Sequence, residues 1–193
     1  MASQRGFMKL LGFVMPILVS VAFLGCSERP EDRLREFSKS ECESGIHNVY
    51  REPKNLELGV MQLSRAALLG NRKAQFEVGV LYLNGEGVTA DNVEAYAWLL
   101  IASETDRDVH YSYPRGTKPL ETPLEIATAM ATINNNLKES GMDVQLQADG
   151  ALNSVSQKMS PDSINKGKIR AGYIRWLIFD EVRKRLAEIY AGK

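Results

Sequence analysis

The 193-residue chain has few of the residues from which active sites and metal centres are usually built. It contains two cysteines, Cys26 and Cys42, and two histidines, His47 and His110. A metal site normally needs several such ligands at close spacing, and a cysteine nucleophile needs a base beside it. Either histidine could reach a cysteine only through tertiary folding. The sequence therefore predicts no catalytic residue, no metal site and no cofactor.

The chain also has no excess of charge of either sign. The chain has 24 Lys and Arg residues against 24 Asp and Glu residues. Residues 1–25 hold Arg5 and Lys9 and no acid, so the remainder carries two more acidic than basic residues. Domains that bind nucleic acid generally show a basic excess that follows the phosphate backbone. We therefore do not expect nucleic acid among the partners.

Long apolar runs are confined to the start of the chain. An uncharged run from Leu10 to Leu24 follows the basic residues Arg5 and Lys9. A basic start followed by an apolar run of this length is typical of a secretory signal. The run is shorter than the roughly 20 apolar residues that span a bilayer comfortably. Pro16 in its middle also argues against a permanent membrane helix.

The end of this run carries a second signal, Phe23-Leu24-Gly25-Cys26. It resembles a bacterial lipobox, although Phe23 stands where leucine is usual. The resemblance implies that residues 1–25 are removed as a lipoprotein signal peptide and that Cys26 is the lipid attachment site. Ser27 after the cysteine implies sorting to the outer membrane, with the protein facing the periplasm.

Two other locations stay open. Ser20-Val21-Ala22 offers a small-x-small site for ordinary signal peptidase, and cleavage there would leave a soluble periplasmic or secreted protein in which a Cys26–Cys42 disulfide is possible. An uncleaved inner-membrane anchor is the other alternative. With Cys26 lipidated, Cys42 is an unpaired thiol in an oxidising compartment.

Residues 70–98 show the clearest local pattern. Asn71 can cap a helix whose apolar residues share one face, at the steps of three and four typical of an α-helix: Ala74, Val78, Leu81 and Tyr82. Gly79 lies inside this helix, where glycine costs roughly 1 kcal/mol relative to alanine. We therefore predict that a neighbouring helix approaches Gly79 too closely for a side chain.

Glycines and a cap also mark the ends of the two helices. Gly70 follows an Ala-Ala-Leu-Leu run and is expected to end the preceding helix. Gly85 and Gly87 predict a turn, after which Asp91 is a suitable cap for a second helix. No Lys-Ser/Thr pair follows Gly87, and no run of carboxylates is present, so this turn does not read as a phosphate or metal loop.

This spacing resembles the Sel-one-like repeat, a relative of the tetratricopeptide repeat. The resemblance implies an α/α solenoid of antiparallel helix pairs that serves as a scaffold for protein–protein contacts, with no shared catalytic residues. The matching residues are Ala66, Ala67, Gly70, Ala74, Gln75, Gly79, Leu81, Tyr82, Gly85, Gly87, Val88, Asp91, Ala95 and Trp98.

The segments before the repeat are less regular. Residues 26–54 are assigned as a tether and N-terminal segment, in which Pro30 through Phe37 predict a short helix with Leu34 and Phe37 facing inward. Residues 55–104 are assigned to the repeat helices, and the helix after Pro53 is expected to be the second half of a degenerate preceding repeat.

The repeat pattern stops after Ile101. Residues 105–121 hold prolines, a glycine and charges without periodicity, and they predict an insertion loop. In this loop His110, Tyr111 and Tyr113 form a possible partner contact, since tyrosine anchors interfaces well; the alternative is an irregular loop packed on the surface.

Residues 122–193 are assigned to capping helices. One is expected to begin at Thr122-Pro123 and to end near Ser140-Gly141, and a less regular segment surrounds Val144 to Met159. Ser160-Pro161-Asp162 then predicts the start of a long C-terminal helix, because serine caps, proline suits the first turn and an acid complements the helix dipole.

The predicted fold is thus all-α: a short α/α solenoid with a long C-terminal capping helix. The predicted function is a non-enzymatic envelope lipoprotein that binds a protein partner through a helical repeat surface. Two alternatives remain, a periplasmic cell-wall or lipid-directed enzyme that uses His110 or Glu121, and a lipoprotein that binds a small ligand in an apolar pocket.

Overall fold

A computed structural model describes residues 29–104, 123–139 and 141–192. The predicted signal peptide, Cys26 and the predicted insertion at 105–121 lie outside these residues. The described residues form seven α-helices and no strand, which confirms the predicted all-α class. The helices are α1 (Pro30–Tyr50), α2 (Leu56–Leu68), α3 (Arg72–Asn84), α4 (Asn92–Ser103), α5 (Pro123–Glu139), α6 (Gly141–Ser156) and α7 (Pro161–Tyr190).

Three helices are capped at their N-termini by the side chains that the sequence predicts as caps. Asn71, Asp91 and Ser160 each accept a backbone N–H from the first turn of the helix that follows, at 3.0, 2.7 and 3.2 Å. Asn55, which the sequence analysis did not single out, caps α2 in the same way at 3.1 Å. Each cap satisfies an N–H group that has no partner within its own helix.

The first antiparallel pair, α1 and α2, is more complete than predicted. The helix that begins at Pro30 runs for 21 residues to Tyr50 and fills most of the segment assigned as a tether. Phe37 is 45% exposed, so the prediction that it faces inward is wrong. The buried stripe of α1 mixes apolar, small and polar residues: Leu34, Ser38, Cys42, Gly45 and Val49.

Two glycines allow α1 and α2 to pack closely. A Cβ atom on Gly45 would lie 2.7 Å from Leu63 Cγ and 3.1 Å from the carbonyl oxygen of Gly59. A Cβ atom on Gly59 would in turn lie 2.7 Å from Val49 Cγ2. Because real side chains do not approach so closely, this helix crossing requires glycine on both sides.

The second pair, α3 and α4, is the predicted repeat. A Cβ atom on Gly79 would lie 2.8 Å from Leu99 Cγ, which confirms that α4 approaches α3 at this position. Gly85 ends α3 in the left-handed conformation, with φ of 71°. Helix α2 packs against α3, so the two pairs form one stack.

Three further helices enclose the stack. Helix α5 packs on α7 and α1, and its Ile133 lies under the turn at Gly70, where φ is 84°. Helix α6 packs on α4 and α3. Helices α5 and α7 begin at the predicted proline residues.

The long helix α7 crosses most of the molecule. Its 30 residues correspond to roughly 45 Å at 1.5 Å per residue. Near its start Gly167 lies against the ring of Tyr96 in α4, and at its end the Tyr190 hydroxyl donates a 2.5 Å hydrogen bond to Glu31 Oε1 in α1. One buried cluster contains residues of α1, α2, α3, α4, α5 and α7. The C-terminal helix therefore joins the second pair to the start of the first.

In the part of the chain at 29–104, 123–139 and 141–192, no helix has both the length and the apolar character needed to span a membrane.

Candidate interaction surface

The predicted site residues cannot be placed on the described surface. Cys26, His110, Tyr111 and Tyr113 all lie outside the described residues, so lipid attachment and the tyrosine contact stay predictions. The structure does show how the chain reaches the predicted insertion, and it shows a polar face on the repeat helices that the sequence analysis did not identify.

Glu104, the residue before the predicted insertion, is held by two arginines. Arg175 of α7 donates through Nε to Glu104 Oε2 at 2.9 Å and through Nη2 to Oε1. Arg72 of α3 donates to the backbone oxygen of Glu104 at 2.8 Å. The ion pair is largely shielded from solvent, since the side chains of Arg175 and Glu104 are 16% and 12% exposed. Helices α3, α4 and α7 thus fix the point at which the chain enters residues 105–121.

The first helices of the two pairs share a polar face. The Tyr50 hydroxyl at the end of α1 donates a 2.8 Å hydrogen bond to Glu77 Oε2 of α3. Burial, this hydrogen bond and the nearby charges of Glu77 and Glu86 all raise the pKa of Tyr50. Tyr50 remains 43% exposed. We give the name first-helix face to Tyr50 of α1, Glu77 of α3 and Glu86 of the turn that follows α3. It presents a tyrosine ring beside two carboxylates.

The sequence analysis missed the first-helix face for a simple reason. Tyr50 and Glu77 are 27 positions apart, and their contact depends on α1 continuing to Tyr50. Had the full length of α1 been recognised, the pairing of α1 beside α3 would have followed from the repeat architecture.

Cys42 is a poor candidate for a nucleophile. It is a free cysteine, 3% exposed, in the buried stripe of α1. Burial raises the pKa of its thiol to about 12, so the thiolate that would attack a substrate is scarcely populated at neutral pH. Among the described residues no group of three or more His, Cys, Asp and Glu side chains is placed to hold a metal ion.

An open groove of about 310 Å³ lies between the start of α1 and the outer side of α5. Its lining includes Asp32, Thr128 and Thr132. The two threonine hydroxyls donate to backbone oxygens of their own helix, each at 2.9 Å. Asp32 is paired with Arg29 and Arg35 at 3.1 and 2.7 Å. The groove is open, its lining mixes apolar and polar side chains, and its Asp32 is already paired within the chain. It therefore differs from the enclosed apolar pocket that a small-ligand carrier would need.

Comparisons with known proteins agree with the predicted repeat. The Sel1 repeat model matches residues 72–104, which span α3, the turn at 85–91, α4 and Glu104. Proteins with this repeat generally use it for protein–protein contacts and not for catalysis. No curated protein sequence matches the chain.

Among solved structures, a Sel1 repeat protein from Oxalobacter formigenes aligns with 81% of this chain and 100% of its own length, at 22% identity and a TM-score of 0.35. At that TM-score the two structures are not taken to share an arrangement of helices. The arrangement described for this chain rests on the contacts between its own helices. Over residues 72–104, the chain is similar to a Sel1 repeat.

Proposed function

We propose that the protein is an envelope lipoprotein that serves as a non-catalytic scaffold for another protein. The observation that carries the proposal is the Sel1-type helix pair at 72–104, because this repeat is generally a protein-interaction element. The basic and apolar start of the chain and the lipobox-like sequence at Cys26 support the envelope location and outer-membrane attachment.

Cys26 lies three residues before Arg29, and three residues of extended chain reach at most about 11 Å. With Cys26 in the outer membrane, the start of α1 would therefore lie close to the lipid, together with the end of α7 that it contacts through Tyr190 and Glu31. Under this proposal, the start of α1 and the end of α7 are the parts of the domain nearest the membrane.

The first-helix face is the described surface best suited to the partner. Tyr50 offers an exposed ring whose hydroxyl is already fixed by Glu77, so little side-chain entropy is lost when a partner packs on it. Glu77 and Glu86 add negative charge on the same side. A partner segment with a lysine or arginine beside an apolar residue would complement both features.

In-cell crosslinking followed by affinity purification and mass spectrometry tests the scaffold function. We expect one abundant envelope protein. We expect Glu77→Lys to reduce its recovery about tenfold, because the new lysine would repel the lysine or arginine that we expect in the partner segment. The matched control is Glu188→Lys, a charge reversal at an exposed residue of α7, which should leave recovery unchanged.

A third variant separates the two candidate contacts. Deleting residues 105–121 removes His110, Tyr111 and Tyr113 but leaves the first-helix face. If the partner is lost with this deletion and kept with Glu77→Lys, the contact belongs to the predicted insertion. The absence of any reproducible partner would overturn the scaffold function.

The same purification tests the location. We expect the mature protein to begin at an acylated Cys26. A chain that begins at an unmodified Phe23 would mean that ordinary signal peptidase cuts after Ala22, which would overturn the lipoprotein proposal and leave the scaffold proposal standing.

A further inference from the structure

The outer side of α7 exposes an apolar stripe in its N-terminal half. Ile169 is 67% exposed and Tyr173 is 44% exposed. The Trp176 ring stacks on Tyr173, with centroids 5.8 Å apart, and the Arg170 guanidinium lies 5.3 Å from the Tyr173 ring centroid. The stripe lies opposite the buried side of the helix, which includes Ala171, Ile174 and Ile178. Ile169 and Tyr173 are therefore not part of the buried core, and Trp176 is half-buried.

A glycine forms a notch in this stripe. A Cβ atom on Gly172 would have no neighbour within 4 Å. Ile169, Gly172, Tyr173 and Trp176 follow the spacing i, i+3, i+4 and i+7, which defines the hole that receives a side chain from a facing helix. Because Gly172 contributes no side chain, this hole is deep enough for a large residue.

Charged residues bound the stripe at equal distances. Asp162 lies seven residues before Ile169, and Arg183 lies seven residues after Trp176. Lys166 and Asp180 lie between these two charges, so the order along this side of α7 is Asp162, Lys166, Ile169, Trp176, Asp180 and Arg183. If a second α7 lies antiparallel, Ile169 faces Trp176, Asp162 faces Arg183, and Tyr173 faces the notch at Gly172. A parallel partner would instead bring like charges together, which is unfavourable.

We propose that α7 pairs antiparallel with α7 of a second copy of this chain, about a two-fold axis between Gly172 and Tyr173. Such an interface is isologous, since one surface complements itself. Asp162 can exchange partners, because its present 2.7 Å pair with Lys166 is exposed to solvent and therefore weak. Arg183 pairs with Asp180 and is 29% exposed. This self-association is independent of the proposed scaffold function.

Disulfide crosslinking of the purified full-length mature protein tests both the pairing and its direction. Tyr173→Cys lies next to the axis, so we expect mild oxidation to give a covalent dimer. Ile169→Cys alone should stay monomeric, because the two copies of that position would lie roughly 10 Å apart along the helices. Trp176→Cys alone should also stay monomeric. A mixture of the Ile169→Cys and Trp176→Cys proteins should form a mixed dimer.

These variants control for one another. Ile169 is more exposed than Tyr173, so random collisions would crosslink Ile169→Cys at least as well. Crosslinking of Ile169→Cys with itself would indicate a parallel arrangement and would overturn the proposal. So would a monomeric Tyr173→Cys protein, or a Tyr173→Cys protein that crosslinks in cells only to a different protein.

Substitution at the notch gives a second test that does not depend on cysteine. Gly172→Gln should stabilise the monomer and shift its urea unfolding midpoint to a higher concentration, because glutamine is the better helix former and meets no neighbour. It should also fill the notch and reduce crosslinking at Tyr173→Cys at least tenfold. The control, Gly150→Gln in α6, should stabilise the monomer similarly and leave crosslinking unchanged. Equal crosslinking in the two proteins would contradict the proposed interface.

Discussion

Gly45→Ala is expected to lower the free energy of unfolding by about 1–2 kcal/mol, although alanine is the better helix former. The added Cβ would lie 2.7 Å from Leu63 Cγ, 3.0 Å from Leu63 N and 3.1 Å from the Gly59 oxygen. Two of these three atoms belong to the backbone of α2, so no rotamer change relieves the contact. The two helices must separate, and the packing lost exceeds the roughly 1 kcal/mol gained in helix propensity.

Urea denaturation followed by circular dichroism measures this effect, and Gly150→Ala supplies the matched control. Gly150 also lies inside a helix, but a Cβ atom there meets nothing within 4 Å. The control should therefore raise the free energy of unfolding by up to about 1 kcal/mol. Opposite signs at the two positions are expected. Stabilisation at both would mean that α1 and α2 do not cross at Gly45.

Arg175→Met should lower the free energy of unfolding by about 1–3 kcal/mol. It removes both hydrogen bonds that Arg175 makes with the Glu104 carboxylate, which is 12% exposed. The cost arises less from the lost attraction than from a largely buried carboxylate that loses the two hydrogen bonds donated by Arg175. Arg175→Lys should be intermediate, because lysine keeps the charge but cannot form two parallel hydrogen bonds.

Two further variants complete this experiment: a double substitution at the Glu104–Arg175 pair, and a control substitution that breaks an exposed ion pair. Glu104→Gln combined with Arg175→Met should recover part of the loss, since the charges of Glu104 and Arg175 are then both removed. Arg185→Met breaks an exposed pair with Glu181 and should change the free energy of unfolding by no more than about 0.5 kcal/mol. If Arg175→Met costs no more than Arg185→Met, the pair with Glu104 does not secure the chain before residue 105.

The parts of the fold that could be predicted are those encoded by neighbouring residues. Asn71, Asp91 and Ser160 are caps because their side chains reach the next turn, which requires no knowledge of the tertiary structure. Gly79 could be interpreted because a glycine inside a helix has a cost that a close neighbour explains. The fold class and the starts of α3, α4 and α7 followed from these local signals.

Helix α1 shows why the remainder could not be predicted. Its buried positions include Ser38, Cys42 and Gly45, so the stripe lacks the apolar periodicity from which a helix is recognised. Gly45 is buried because Gly59 and Leu63 approach it, and that contact joins residues distant in sequence. The first-helix face was missed for the same reason. The predicted contact residues at 110–113 and the lipid site at Cys26 remain predictions.

Helix α7 closes the short stack by reaching from the second helix pair back to the start of α1. Repeat proteins generally need about three units to bury a continuous core, and the described residues contain two such pairs. The closing contact is the hydrogen bond from Tyr190 to Glu31, which joins residues 159 positions apart. Without this closure, the apolar residues of α1 and α2 in the shared core would lose the cover that α7 provides.

Crosslinking within one molecule tests this closure most directly. In a protein carrying Glu31→Cys and Tyr190→Cys, a flexible bis-maleimide reagent should join the two positions efficiently at low protein concentration. The control pairs Glu31→Cys with Lys166→Cys, which lies roughly 36 Å further back along α7 and should not be joined. The expected result is an intramolecular link in the first protein only. Equal linking in both proteins, or none in the first, would contradict a stack closed by α7.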